Sequence, residues 1–281
     1  MSNVSEHPSY SRVFLTFARN SLIRDMTFRG NFLIETVSSM SWVLMNIGFY
    51  MLIFQYTPLI GSENGWGKYQ FFLFLATTLL INSVMEALFM TNADEFSELI
   101  RTGELDFALL KPIDTQFLVS FKRIEWSALG NVAVGLVLIG YSLYRLQHVP
   151  SVVQILLYPL FLLSGVAIFY SLMFTLATSS IWLGRNQTLY DFWFYITTFS
   201  RYPMEIYRGA IGTPLRWFFT FIIPVLVVVN VPARLLARPL SPGSPQEWLL
   251  PLFAVFATAV CVLGSRRVFN WALASYRSAS S

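Results

Sequence analysis

The chain has 281 residues, of which 55% are hydrophobic, 17% aromatic and only 12% charged, with a net charge of +4. A soluble domain carries about 25% charged residues, so the surplus apolar surface is meant for lipid. The cations stand singly at the ends of apolar runs, which argues against nucleic acid, and one cysteine with two histidines builds neither an internal disulfide nor a zinc site.

In chain order, the N-terminal segment 1–30 is broken by Arg12, Arg19, Arg24 and Arg29, so it does not read as a cleavable signal. Tyr10, Val13, Phe14 and Phe17 recur beside these arginines at helical spacing, as in a basic amphipathic helix lying on an anionic membrane face. A plain extension of the first span is the alternative. A bilayer core of about 30 Å needs about 20 helical residues to cross it. Such spans are expected at 32–54, 69–90, 124–144 and 152–182, with a last one from 248 to just before Arg266 and Arg267. Pro58, Gly61, Asn64, Gly65 and Gly67 make a turn-rich link between the first two, and Pro-Gly-Ser-Pro at 242–245 precedes the last.

The stretch 186–240 is ambiguous. The preferred reading takes 186–202 as a fifth span and 214–236 as two half-helices, broken at Pro224 and carrying Pro232, that dip into the membrane and return. The other takes 217–231 as the fifth span, which moves Arg201, Arg208 and Arg216 to the opposite side. The expected fold is therefore all-α and integral to the membrane, as a single domain over 1–281. It has six crossings, an N-terminal interfacial helix and a re-entrant helical hairpin at 203–240. Arg and Lys are retained on the cytoplasmic side, which puts both termini inside.

The charged connection 92–117 reads as two short helices on the cytoplasmic face. Asn92 with Glu95 suits a helix start, Phe96, Leu99 and Ile100 make an apolar stripe, and Gly103 suits a helix end. The segment 104–110 makes a second turn or two that stops at Pro112. Asp94, Glu95, Glu98, Glu104 and Asp106 would be repelled by anionic headgroups, so a protein partner explains the segment better than lipid does. A solvated connecting loop is the plainer alternative.

The run Gly103-Glu104-Leu105-Asp106, followed by Leu109-Leu110-Lys111-Pro112-Ile113-Asp114, resembles permease subunits of type-2 ATP-binding-cassette exporters. Ser200-Arg201-Tyr202-Pro203, Leu215-Arg216-Trp217, Phe221-Ile222-Ile223-Pro224 and Val231-Pro232-Ala233 are similar to the same branch. The resemblance implies that the permease hydrolyses nothing and binds no cofactor. Two copies of a separate ATPase subunit would hold ATP and magnesium, and a second permease, identical or related, would complete the assembly among membrane lipids. It also implies that Glu95, Phe96, Glu98, Leu99, Arg101, Gly103, Leu105, Asp106, Leu109, Lys111 and Pro112 form the coupling element. The sequence agrees on nucleotide: the glycines of 61–69 lack phosphate-loop spacing, and Tyr69 stands where a magnesium-binding hydroxyl belongs.

Thr78, Asn82 and Glu86 recur every fourth residue and so share a face of span two. Ser127, Asn131 and Gly135 do the same in span three, and Ser164, Ser171, Thr175 and Thr178 line span four. Such faces serve either helix packing or a translocation path, for which Glu35, Asn82, Glu86, Asn131, Tyr202, Pro203, Pro224 and Pro232 are the pathway and gate candidates. A structural pair of Glu35 or Glu86 with Arg29 or Arg123 would explain the carboxylates equally well. Two rival functions remain: an ion-coupled secondary transporter using Glu35 or Glu86 as relay, and a non-transporting scaffold or sensor.

Overall fold

The computed structural model of the protein describes residues 9–61, 65–184, 187–238 and 245–276. Asn64, Arg185, Arg277 and the turn at 242–244 lie outside the described residues, as does the Asp191 side chain. Helix α1 (Tyr10–Thr27) is followed by α2 (Arg29–Tyr56), and a two-residue hairpin, β1 (Leu59–Ile60) with β2 (Trp66–Gly67), forms within the link that reads as turn alone. Then come α3 (Lys68–Met85), α4 (Thr91–Thr102), α5 (Leu105–Leu109), α6 (Thr115–Phe121), α7 (Leu129–Leu146), α8 (Val152–Thr178), α9 (Ser180–Leu183) and α10 (Gln187–Thr198). The chain ends through α11 (Gly209–Trp217), α12 (Val225–Ala237) and α13 (Pro245–Ser275).

Among the described residues five helices are long and apolar enough to cross a membrane. They sort into two ends of one bundle. Spans α2 and α3 meet at the hairpin, Arg145 of α7 donates to the Tyr69 hydroxyl at 3.0 Å, and Gln154 of α8 donates to the Arg238 carbonyl, whose side chain lies over Trp66. This is the hairpin end. At the far end, α1 packs on α6 through Phe14 and Phe121, and Arg266 of α13 pairs with Asp114. Helix α10 and the 3-10 turn Phe199–Arg201 carry the chain back toward the hairpin end, in fewer residues than the five long helices have.

Two boundaries differ from the sequence expectation for one reason. No helix starts at Asn92: Lys68–Thr102 is one path of 35 residues, because 68–102 contains neither glycine nor proline and acidic residues alone do not stop a helix. At about 1.5 Å per residue it is about 50 Å long and outruns a bilayer core of about 30 Å. Asn92 is instead a clamp, donating to the Leu88 and Arg123 carbonyls and accepting from the Arg123 N–H. Gly103, at φ 77°, ends the path in the left-handed conformation that glycine adopts freely. Likewise α13 continues past Arg266 and Arg267 to Ser275, since 268–275 also contains neither glycine nor proline.

Pro224 does break the chain. Gly209–Ile222 and Val225–Ala237 are bent by 88° about it, a right angle rather than a tight hairpin. Helix α12 is the buried heart of the bundle, with every residue covered except Arg234. It lies so close to α8 that a Cβ on Gly165 would stand 2.7 Å from the Val228 carbonyl oxygen.

Candidate functional site

Three constellations emerge. The first is a cleft of about 460 Å³ opening between α2, α3 and α7. Thr78 and Asn82 of α3 and Glu86 just after it line it, one helical turn apart as their spacing requires. Asn131 of α7 faces them and donates to Ser39 Oγ of α2, and Asn46 and Tyr50 extend that wall toward Arg201 and Tyr202. From Ser39 to Tyr50 the polar wall rises about 17 Å, more than half a bilayer core. Helix α2 covers it thinly, since only Val43 of that helix is buried.

Of the eight pathway candidates, Asn82, Glu86, Asn131 and Tyr202 meet in this cleft. Glu35 lies a turn below Ser39 and accepts from Asn31 at 3.0 Å. Pro203, Pro224 and Pro232 are elsewhere: Pro203 starts the turn Met204–Ile206, Pro224 forms the break and Pro232 sits buried within α12. The expected pairing of Glu35 or Glu86 with Arg29 or Arg123 does not form. Arg123 is already held by Glu95 and Glu125, each at 2.9 Å, and Glu86 is exposed in the cleft. A π turn over Glu86–Met90 widens the helix where the cleft wall passes into the far-end extension. The polar stripe of span four serves packing instead, with Ser171 and Thr178 buried away from the cleft.

The second constellation is a groove of about 310 Å³ at the far end, lined by Phe17, Leu99, Glu104, Phe107, Ala108, Lys111 and Lys122 among others. Around it Phe107 is 70% exposed and Leu110 81% exposed, with Leu109 and Pro112 also at the surface. The coupling residues read from the sequence divide here. Leu99 and Lys111 line the groove, and Arg101 pairs with Glu98 on the adjacent exposed turn. Phe96 and Leu105 face inward, Phe96 stacked on Phe174 at 5.7 Å and Leu105 fully buried. Glu95 is held by Arg123 and Lys122. Inward stripes and docking stripes share one periodicity, so only the fold separates them.

Below the groove Asp114 caps α6 by accepting from the Phe117 N–H at 2.9 Å and binds Arg266, which also donates to Gln116. Burial pushes the Asp114 carboxyl up, but the hydrogen bond and charge of Arg266, with the Phe117 N–H, outweigh it and hold its pKa below the usual carboxylate range.

The third constellation, at the hairpin end, was not legible in the sequence. Glu205, 6% exposed, accepts from Trp66 Nε1 at 2.9 Å and pairs with Arg234 at 2.7 Å, with Arg238 at 3.9 Å. Asn230 of α12 accepts from the Met204 N–H at 3.0 Å. The chain thus leaves Trp66 at Glu205 and comes back to it at Arg238, so 206–237 begins and ends at the same end of the bundle. The only sequence signal was a carboxylate between two apolar residues, with Arg234 and Arg238 one turn apart.

Among the described residues no group of histidine, cysteine and carboxylate is placed to hold a metal. No curated protein and no solved structure matches the chain. Residues 40–280 match a family model described as ABC-2 family transporter protein.

Proposed function

This chain belongs to the ABC-2 transporter family, and from that premise we propose that it is the permease of an ATP-driven exporter powered by a separate ATPase subunit. As an ABC-2 permease it is an integral, multi-pass membrane protein that pairs with an ABC ATPase. The observation that carries the finer reading is continuity. One unbroken helical path, Lys68–Thr102, presents Thr78, Asn82 and Glu86 to the cleft and Leu99 to the far-end groove. Force applied at the groove is therefore delivered to the cleft wall through hydrogen-bonded backbone, with the π turn at Glu86–Met90 as the compliant point between them.

In this reading the far end is cytoplasmic. Arg12, Arg19, Arg24, Arg29, Lys111, Lys122, Arg266 and Arg267 support it, as they gather there. Two ATPase copies dock on Phe107 and Leu110 around the groove, and their closure on ATP and magnesium tilts α2 and α3. The thin cover of α2 supports a second permease, identical or related, whose matching face closes the cleft into a path. Helix α10 supplies the fifth crossing. The segment 206–237 enters and leaves from outside, its freed backbone shielded by α3, α8 and α13.

The test is purification of the detergent-solubilised chain from its own cells, with efflux measured in reconstituted vesicles. A stoichiometric ATPase and ATP-dependent efflux support the exporter. Transport that survives without nucleotide identifies an ion-coupled carrier, and a different soluble partner identifies a scaffold.

A further inference from the structure

A third cavity, of about 430 Å³, lies between α11, α12 and α13 at the hairpin end. Its polar wall carries Arg208, Arg216 and Arg234 with Thr213 and Thr220, and its apolar wall carries Trp217, Phe221 and Phe253. Among the described residues no carboxylate lines it. Glu205, next in sequence to the lining residue Met204, is spent on Trp66 and Arg234. Among the described residues Arg208 has no ion-pair partner, and the Arg216 guanidinium meets only the Met204 sulfur, at 3.7 Å. Arg208, exposed, and Arg216, half-buried, therefore stand beside an apolar wall with no acidic partner among the described residues, open to an anionic ligand.

Two buried donors on this wall point the same way. Thr220, 4% exposed, has a hydroxyl with no hydrogen-bond partner, and so does the Arg234 Nε. The helical threonines Thr77, Thr78 and Thr175 return their hydroxyl to the carbonyl four residues back, whereas Thr178 and Thr220 do not. Thr220 sits in the π turn Phe218–Ile222, and such turns recur at binding sites.

We propose that this cavity binds the phosphate group of an anionic amphiphile, with Arg208 and Arg216 as the anchoring cations and the Thr220 hydroxyl as a donor to a phosphate oxygen. Guanidinium is the side chain best matched to phosphate, through paired N–H donors. The volume falls within the range of small-molecule sites, about 300–1,000 Å³, and exceeds what a bare phosphate fills. The aromatic wall takes the first methylenes behind the headgroup. The site lies at the end of the bundle, where headgroups reside.

The test uses the full chain, delipidated in detergent, titrated with short-chain phosphatidylglycerol, short-chain phosphatidylcholine or inorganic phosphate, with thermal unfolding as readout. Phosphatidylglycerol should raise the unfolding temperature at concentrations where phosphatidylcholine does not. The concentration needed should increase about tenfold in R216Q, as expected for losing one charged hydrogen bond. R208Q should act alike, and Thr220→Val, which keeps the side-chain volume, covers the case in which an arginine variant folds poorly. Protection by inorganic phosphate with the same arginine dependence upholds the site and assigns it to free phosphate. Equal protection by phosphatidylcholine, or protection unchanged in R216Q and Thr220→Val, overturns it.

Discussion

Trp66 and Glu205 are 139 residues apart in sequence, yet the indole N–H of one donates to the carboxylate of the other at 2.9 Å inside the protein. This bond fastens the hairpin between the first two spans to the turn after α10. The Arg234 pair, at 2.7 Å, then ties both to the broken segment. Glu205→Gln leaves the guanidinium without its counter-charge. Breaking a mostly buried pair from one side costs about 3–5 kcal/mol, so the variant should unfold at clearly lower temperature in detergent.

Packing of α12 on α8 depends on Gly165. A methyl there would meet the Val228 carbonyl oxygen at 2.7 Å, backbone that cannot move aside alone. Gly165→Ala is therefore expected to cost about 1–3 kcal/mol as overpacking. Gly140→Ala is its control, since nothing lies within 4 Å of that site; thermal melts of both, with equal losses, would contradict the close approach.

The proposed docking surface and the core of 94–110 separate by mutation. F107D and L110D place charge on exposed side chains, so each should keep the folded yield and lose ATPase co-purification. Leu105→Asp buries an unpaired carboxylate and should lose the folded protein instead. A Phe107→Asp variant that retains its ATPase in full would remove this face from the interface.

Glu86 stands exposed in the cleft, so Glu86→Gln should change stability by no more than about 0.5 kcal/mol. If the cleft is the path, the same variant lowers transport at unchanged ATPase assembly, which vesicle efflux measures directly.

The Asp114 carboxyl is held below its unfolded pKa of about 3.9. A depressed carboxylate contributes stability that is fully present above the unfolded pKa and is lost as pH falls through the lower folded value. Wild type should therefore lose stability on acidification below about pH 4, and D114N should show a flatter acid limb in melts recorded across that window.

The sequence alone determined that the chain lives in a membrane, where most crossings fall, that Gly103 ends a helix and that Pro224 breaks one. It also placed Thr78, Asn82 and Glu86 on one face. These are local properties, fixed by composition, breakers and the 3.6-residue repeat, which act within a few turns of backbone. The tertiary structure decided which face meets which neighbour: that Phe96 and Leu105 point inward while Phe107 and Leu110 do not, and that Asn131 joins Ser39. It also brought Glu205 between Trp66 and Arg234. Burial and charge pairing depend on chain segments far apart in sequence, and helical periodicity looks the same whether a stripe faces core, lipid or partner.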